Sequence, residues 1–181
     1  HIVSLESHGV VAVSKADGEI REDDVQRAIE AAQTVATPPN YEILHVIPRQ
    51  FQVDNQAGVK DPVGMTGIKL EVDAQIILGL TSQVKNLTKC IYRTGTDIQD
   101  LVLGVLAVSE AVLTKRHKEL GVALVNMGGL TTSLMVFEEG DVIHTKILPI
   151  GSGHITNDIA IGLRTSVDVA EIIKARFGTA V

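Results

Sequence analysis

The sequence has no Trp, only one Cys, and an aromatic content of 3%. Without aromatic side chains to fill it, the core must be built from Val, Ile, Leu and Ala, and apolar residues make up 45% of the chain. Cys90 has no second cysteine with which to form an intrachain disulfide, so we expect a reducing, cytoplasmic setting. We do not interpret Cys90 as a reactive thiolate.

Excess positive charge and long apolar runs are also missing. The net charge of −6 argues against nucleic-acid binding, which requires a basic surface to displace phosphate counterions. No segment approaches the ~20 apolar residues of a membrane span, so we expect membrane contact only through segments outside this chain. The six His are scattered, and no metal site is predicted. Because the chain begins at His1 rather than Met, we interpret it as a segment of a longer protein.

Residues 1–80 are predicted to form a small sheet covered by one helix, in the order strand–helix–strand–strand. The first strand contains the apolar run at 10–13. The helix starts at 22–24, where three acidic residues face the positive end of the helix dipole. Further strands are predicted at 43–47 and 68–80. The last begins with alternating apolar and polar residues typical of a half-buried strand: Ile68, Lys69, Leu70, Glu71, Val72 and Asp73.

Residues 81–120 change from strand to helix periodicity. The predicted elements are a helix capped by Thr81 or Ser82 and closing at Gly95, a short buried strand at 98–103, a helix at 105–113 and a basic loop at 115–118. In residues 121–181 the pattern predicts three antiparallel strands joined by tight turns, then two helices. The turns lie at 126–129 and 139–141, and Thr165 or Ser166 is expected to cap the last helix.

The segment Leu124–Thr132 carries the features most suggestive of chemistry. An apolar strand leads into a turn with two glycines and is followed by two threonines. One interpretation is a phosphate-binding turn, in which glycines adopt positive φ and backbone amides and hydroxyls hold phosphate oxygens. The alternative is a plain β-hairpin whose glycines only make the turn. The local sequence leaves both open.

Five strings spread along the chain resemble those of the FtsA family of actin-like bacterial cell-division proteins, in the family's order. They are His45-Val46-Ile47-Pro48, the Pro-Val-Gly-Met-x-Gly string at Pro62–Gly67, Leu106–Leu113, Glu119–Val122 and Ile155–Ala160. The resemblance implies an α/β fold, in which an α+β insertion precedes half of an actin-like ATPase lobe. Residues 1–80 would be the inserted subdomain, 81–120 the end of the first lobe and 121–181 the start of the second.

The resemblance makes the turn after Val125 the second phosphate hairpin of the family. Its phosphate-binding residues would be Asn126, Gly128, Gly129, Thr131 and Thr132. The family pattern Asp-x-Gly-Gly-Gly-Thr-x-Asp is altered at three positions: Asn126, Leu130 and Ser133. Asn126 offers magnesium a neutral oxygen instead of a carboxylate, and Leu130 disfavours positive φ. We therefore expect magnesium-dependent ATP hydrolysis to be weak or absent. ATP and magnesium are expected at most in the full-length protein, and neither is expected to bind this chain tightly.

In the family, Asp158 would lie on a helix facing the nucleotide cleft; the alternative is a surface carboxylate near a helix start. His45, inside an apolar strand, is interpreted as structural. The resemblance implies a cytoplasmic scaffold at the inner face of the cell membrane, which links FtsZ filaments to that membrane, recruits later division proteins and self-associates into filaments. The alternatives are an active actin-fold ATPase or phosphotransferase, and another actin-like adaptor such as the pilus-assembly protein PilM.

Overall fold

The computed structural model describes residues 2–14, 17–34 and 36–179. Within them lie seven strands and six helices. Their bounds, in chain order, are β1 Ile2–Ala12, α1 Glu22–Gln33, β2 Tyr41–Val53, β3 Gln56–Val59, β4 Lys69–Leu80, α2 Thr81–Tyr92, α3 Gly104–Val112, α4 Lys115–Leu120, β5 Val122–Met127, β6 Thr132–Glu138, β7 Asp141–Leu148, α5 Ser152–Leu163 and α6 Val167–Phe177.

The first sheet has the order β1-β4-β2-β3 and is antiparallel throughout. Its predicted elements are all present, and the short β3, which the sequence analysis missed, follows a turn in which Asp54 takes positive φ (52°). α1 packs on one face, where a Cβ on Gly9 would collide with the backbone of Ala28 and Ala32. Glycine at this position therefore lets the helix approach the strand closely.

The core of the first sheet is apolar and lies between α1 and the strands. It comprises Ile20, Ala28, Ala32, Phe51, Val53, Val59, Leu70, Val72, Ala74, Ile76 and Leu78. α1 is anchored at its start by the buried Asp24, which accepts a hydrogen bond from the Arg21 amide (3.1 Å) and others from Ser14 and Arg27. These bonds, from Ser14 above all, hold the pKa of Asp24 below its usual range, although burial opposes the shift.

The prediction of a half-buried β4 is wrong at two residues. Glu71 is buried, although the alternating pattern placed it on a solvent face, and Ile68, predicted inside, is exposed. β4 is the central strand between β1 and β2, and Glu71 is accommodated by bonds to Lys69 (2.5 Å) and His8 (2.9 Å). Partners in the folded protein, which the pattern of apolar residues does not record, permit this burial.

Two predictions between the sheets are also wrong. Residues 98–103 form no strand. The side chains at 101–103 line a groove with Val84 and Leu87 of α2 instead of pairing with a strand edge. The predicted basic loop at 115–118 is the start of α4, whose first turn is capped by Thr114 through the His117 amide (3.2 Å).

The helix after β4 is present but lacks the predicted cap. Its N-cap is Leu80, with no side-chain cap hydrogen bond, and the Thr81 amide donates to the Asn40 carbonyl (2.9 Å). The chain therefore turns directly from a buried strand into α2. The predicted helix at 105–113 is confirmed as α3.

The second sheet has the order β5-β6-β7 and is antiparallel, as predicted. Its core is small and is shared with α3: Val105, Leu124, Met135, Phe137 and Val142. The turn between β6 and β7 takes positive φ at both Glu139 (52°) and Gly140 (91°), the combination that matches the twist of a two-residue hairpin. α5 and α6 follow, and Ser166 caps α6 by accepting from the Val169 amide (3.4 Å).

Contacts between the sheets join the two parts of the chain. β7 lies against β1 and β2, and Ile47 of β2 packs on the core of the second sheet. His45 accepts a hydrogen bond at Nε2 from the Leu103 amide (2.9 Å), which confirms its predicted structural role. The Lys60 ammonium also donates to the Glu139 carbonyl in the β6–β7 turn.

Candidate functional site: the β5–β6 hairpin and the start of α5

The β5–β6 hairpin brings five of the six predicted site residues together. Asn126 lies opposite Ser133 and Met127 opposite Thr132 in the strand register, which places the loop 128–131 at the tip. The tip is exposed to solvent, with Leu130 77% accessible. The hairpin is thus a projecting turn with the Asn126 amide and the Thr131 hydroxyl at its end.

The tip does not use its glycines as the sequence analysis expected. Neither Gly128 nor Gly129 adopts positive φ, and Leu130 avoids it as well, so the predicted strain at that residue does not arise. The loop is closed by a hydrogen bond from the Gly128 amide to the Thr131 carbonyl (2.8 Å). A Cβ on Gly129 would meet nothing within 4 Å. A Cβ on Gly128 would lie 3.2 Å from the Thr131 carbonyl oxygen, so the need for glycine within the hairpin is weak at Gly129 and greater at Gly128.

The start of α5 is where glycine is required. The amides of Ser152 and Gly153 donate to the carbonyls of Gly128 (2.9 Å) and Gly129 (2.8 Å). A Cβ on Gly151 would collide with these same two glycines, and one on Gly153 would lie 2.9 Å from the Gly129 carbonyl oxygen. The Gly-x-Gly spacing at 151–153, which opens a helix, was the sequence signal for this contact, and the sequence analysis did not use it.

Two further hydrogen bonds fix the hairpin joint, the contact between Gly128–Gly129 and the start of α5. The Thr132 hydroxyl donates to the Ile150 carbonyl (2.7 Å), and the Gly151 amide donates to Nδ1 of His154 (3.1 Å). The first amides of α5 are thus occupied by protein groups rather than left open. The usual attraction of a helix N-terminus for anions is used here to hold the hairpin.

A polar network between α5 and α6 includes the Ser152 carbonyl at the hairpin joint. The buried Thr156 donates to Glu171 (2.5 Å), and the Lys174 ammonium reaches Thr156 (2.8 Å) and the Ser152 carbonyl (3.3 Å). Lys174 also pairs with Glu171 (2.7 Å). Lys174 and then Thr156 lower the pKa of Glu171, against the effect of burial. The sequence analysis missed this network, because its residues meet only when the two helices pack.

Two backbone amides at the hairpin tip are free. Among the described residues, the amides of Gly129 and Leu130 have no hydrogen-bond partner. Successive free amides beside a hydroxyl, here that of Thr131, are groups that hold phosphate oxygens. The tip therefore offers free donors of the kind that bind anions. The described residues include no cluster of three or more His, Cys, Asp or Glu arranged to hold a metal ion.

Asp158 lies apart from the hairpin. It is exposed on α5, two residues beyond the buried Thr156 and thus on a different side of the helix. Among the described residues no hydrogen bond joins it to the tip. Its predicted place on a nucleotide cleft stays a prediction.

Comparison with known proteins gives the same family for both sheets. The family model for the SHS2 domain inserted in FtsA matches residues 1–78, and the model for cell division protein FtsA matches residues 123–181. The chain belongs to the FtsA family. The first model covers the sheet of β1 to β4, and the second covers the hairpin and the two helices that follow it.

Relatives in the FtsA family match nearly the whole chain. The FtsA proteins of Pseudomonas aeruginosa and Bacillus subtilis are 42% identical over 180 residues and 44% identical over 175. That of Escherichia coli K12 is 34% identical over 180 residues. The matches cover 99%, 97% and 99% of this chain but only 43%, 40% and 42% of the relatives. The chain therefore spans less than half the length of the relatives it matches.

A solved structure confirms the fold class. A chain of the PilM–PilN type IV pilus biogenesis complex superposes with a TM-score of 0.62 over 97% of this chain and 48% of its own length. The two are 13% identical, so the likeness concerns the fold alone. The predicted actin-like α/β fold is thus confirmed. Every helix within the described residues is too short or too polar to traverse a bilayer.

Proposed function

We propose that this chain is part of an actin-like scaffold protein of bacterial cell division. The observation that carries the proposal is that both sheets, and the spacing between them, match cell-division relatives over 99% of the chain. By analogy with those relatives, the whole protein would act as a cytoplasmic adaptor at the inner face of the cell membrane. It would link FtsZ filaments to the membrane, recruit later division proteins and self-associate into filaments.

The membrane contact in this proposal comes from segments outside the chain. The described helices offer no span, and the net charge of −6 disfavours attraction to anionic lipid headgroups. We therefore assign this chain to protein–protein contacts and to one wall of a nucleotide site. The pilus-adaptor alternative is supported by fold likeness at 13% identity, which is weaker support than the 34–44% identity to division proteins.

A chimera tests the division role. The matching segment of Pseudomonas aeruginosa FtsA would be replaced by this chain, and the chimera would be expressed in cells depleted of their own FtsA. We expect septation to be restored, because 42% of the segment is identical. The control is the same chimera with Gly151→Ala, which should restore septation poorly. Stable, soluble chimera in cells that still grow as undivided filaments would contradict the proposal.

The proposed nucleotide role is structural rather than catalytic. The free amides of Gly129 and Leu130 and the Thr131 hydroxyl would contact ATP phosphates in the full-length protein. Magnesium fits poorly, because Asn126 presents one neutral amide oxygen where hard cations favour carboxylates. We propose that nucleotide stabilises assembly and is hydrolysed slowly. The alternative function is an active ATPase or phosphotransferase on the same fold.

A magnesium titration of ATP hydrolysis separates these two functions. The full-length protein would be compared with its Asn126→Asp variant. We expect little hydrolysis by the unchanged protein at any magnesium concentration, and a magnesium-dependent increase in the variant. Equal, magnesium-dependent hydrolysis by both proteins would favour the enzymatic alternative.

A further inference from the structure

The first sheet has one long edge that lacks the usual protection. β1 is an end strand and pairs with β4 over eleven residues without a register shift. It contains neither Pro nor Lys. The opposite edge is the four-residue β3, whose pairing with β2 is irregular. Short length, bulges, Lys and Pro are four of the devices that keep sheet edges from pairing with other chains. β1 has none of these four, and its one acidic residue is Glu6.

A hydrogen bond just after the end of β1 shows which of its backbone groups point away from β4. The Val13 amide donates to the Ile68 carbonyl (2.9 Å), so Val13 points its backbone groups toward β4. In an antiparallel ladder this direction alternates along the strand. The even-numbered residues from Ile2 to Ala12 therefore point outward. The Ala12 carbonyl agrees with this assignment, because it accepts from Arg27 (3.0 Å) on the outer side.

The outward groups between Ile2 and Val10 are open for pairing. Within the described residues, no hydrogen bond reaches the amide or carbonyl of any even-numbered residue in this range from outside the sheet. α1 covers the face that carries Gly9 and the other odd-numbered side chains, and, among the described residues, β7 lies near Ile2, Ser4 and Glu6 without a hydrogen bond to the β1 backbone. A further strand can therefore approach edge-on without displacing the helix.

We propose that this edge is a self-association surface, on which β1 of a second copy adds as an antiparallel strand with Ser7 opposite Ser7 of the second copy. In this register Ile2 lies opposite Ala12 of the second copy, so all eleven residues overlap. The outward-pointing residues of one copy meet those of the other, as hydrogen-bonded pairs require. Two four-stranded sheets join into one.

The two neighbouring registers each place identical charged residues opposite each other. Here Glu6 lies opposite His8 of the second copy, and His8 opposite Glu6. Hydrogen bonds to Asp73 (2.8 Å) and Glu71 (2.9 Å) raise the pKa of His8 and so favour its cationic form. A shift by two residues in one direction puts Glu6 opposite Glu6, and in the other His8 opposite His8. Like charges directly opposite destabilise a strand pair, and both shifts also shorten the overlap.

The inference deepens the proposed scaffold role, on which its biological meaning rests, by naming the surface and the partner. The pairing through β1 and the scaffold role can be contradicted independently of each other. A chimera that supports division while the chain itself does not pair through β1 would overturn only the present inference. Pairing through β1 in a protein that cannot support division would overturn only the scaffold role.

Disulfide trapping tests the register. Cys90 is exposed and unpaired, so it would first be replaced in a Cys90→Ser background. In that background Ser7→Cys places two thiols opposite each other at a non-hydrogen-bonded pair, where Cα atoms lie about 4.5 Å apart and a disulfide is allowed. The control is Glu6→Cys, which faces His8 of the second copy. We expect a covalent dimer under mild oxidation from Ser7→Cys and at least about tenfold less from Glu6→Cys. Equal yields, or none from Ser7→Cys, would overturn the proposal.

A proline substitution tests whether the edge itself forms the dimer. The Val10 amide points outward, so Val10→Pro removes two intermolecular hydrogen bonds per dimer and leaves the pairing with β4 intact. Sedimentation equilibrium should show the dimer dissociation constant rising by about tenfold or more, with an unchanged far-UV circular dichroism spectrum. A monomeric unchanged chain, or a dimer that Val10→Pro does not weaken, would contradict strand pairing and would assign any association to other surfaces, such as the exposed apolar residues of α5 and α6.

Discussion

The two sheets are both antiparallel, yet they are stabilised in different ways. In the first, the central strand β4 is buried along most of its length, and eleven buried residues form its core. In the second, five buried residues form the core, and the hairpin tip stands in solvent. The first sheet is held by packing, whereas the tip of the second is held by a few backbone hydrogen bonds to α5. The packed first sheet and the projecting hairpin thus differ in what stabilises them.

The difference has a consequence for how each sheet tolerates change. Packing is spread over many contacts, so a loss of volume costs free energy wherever the core is dense. The hairpin joint depends on close backbone approach, so an added atom is the damaging change there. Deletion of side chains should therefore weaken the first sheet most, and addition of one methyl group should weaken the second.

The largest effect is expected in β4. Ile76→Ala removes a fully buried side chain and should lower the free energy of unfolding by about 2–5 kcal/mol. The control is Leu87→Ala on α2, where the side chain is 58% exposed and the change should stay within about 1 kcal/mol. Urea denaturation followed by circular dichroism measures both. A loss at Ile76 no greater than at Leu87 would remove the basis for calling the first sheet a packed frame.

The anchor of α1 should come next. Asp24→Asn removes the charge that accepts from Ser14, Arg27 and the Arg21 amide and should cost about 1.5–3 kcal/mol. Because folding depresses the pKa of Asp24, its contribution is present above about pH 4 and is lost as pH falls through the lower folded value. The stability of the variant should therefore fall less steeply between about pH 4 and 2. Parallel acid profiles of both proteins would contradict this role.

The hairpin joint gives the clearest contrast with the first sheet. Gly151→Ala forces a Cβ against the backbone of Gly128 and Gly129 and should cost about 1–3 kcal/mol. The matched control is Gly162→Ala on the same helix, where nothing lies within 4 Å of the new Cβ. That change should stabilise by about 0.5–1 kcal/mol, because glycine is unfavourable inside helices. Effects of the same sign at both positions would contradict the docking of the hairpin on α5.

The smallest effect is expected at His8, on the polar face of the first sheet. Because folding raises the pKa of His8, its contribution to the free energy of unfolding is full below about pH 6.5. That contribution is lost as pH rises through the folded pKa. The side chain is 49% exposed, so solvent screening should limit the effect to within about 1 kcal/mol. His8→Gln should flatten the stability profile between about pH 6 and 8. Thermal unfolding across that range measures it, and an unchanged slope would contradict the prediction.

The sequence predicts best where turn residues and periodicity agree. The order of β5, β6 and β7 followed from two turn signals, and α6 followed from its cap at Ser166. Prediction from the sequence fails where contacts between distant residues decide the local structure. Residues 101–103 line a groove beside α2, and Glu71 is buried against His8 and Lys69. His8 lies 63 residues from Glu71 along the chain, so a local window of sequence shows neither the groove nor this partner.

The candidate site, too, was predicted only in part from the sequence. The residue types at 126–132 indicated phosphate contacts, and the structure brings them together at one tip. The reason for the glycines could not be read from the hairpin, because the close approach involves Gly151 and Gly153 on the other side of the joint. The support from Thr156, Glu171 and Lys174 arises only when α5 and α6 pack.

The proposed structural role of nucleotide is tested most directly by calorimetric ATP binding to the full-length protein, with and without magnesium, beside the Asn126→Asp variant. We expect ATP to bind the unchanged protein with an affinity that magnesium alters by less than about threefold, a difference under 1 kcal/mol. The variant should bind more tightly when magnesium is present, because the new carboxylate is a ligand that the metal prefers. Tight binding by the unchanged protein that disappears without magnesium, or no binding at all, would contradict a structural nucleotide held through the hairpin amides.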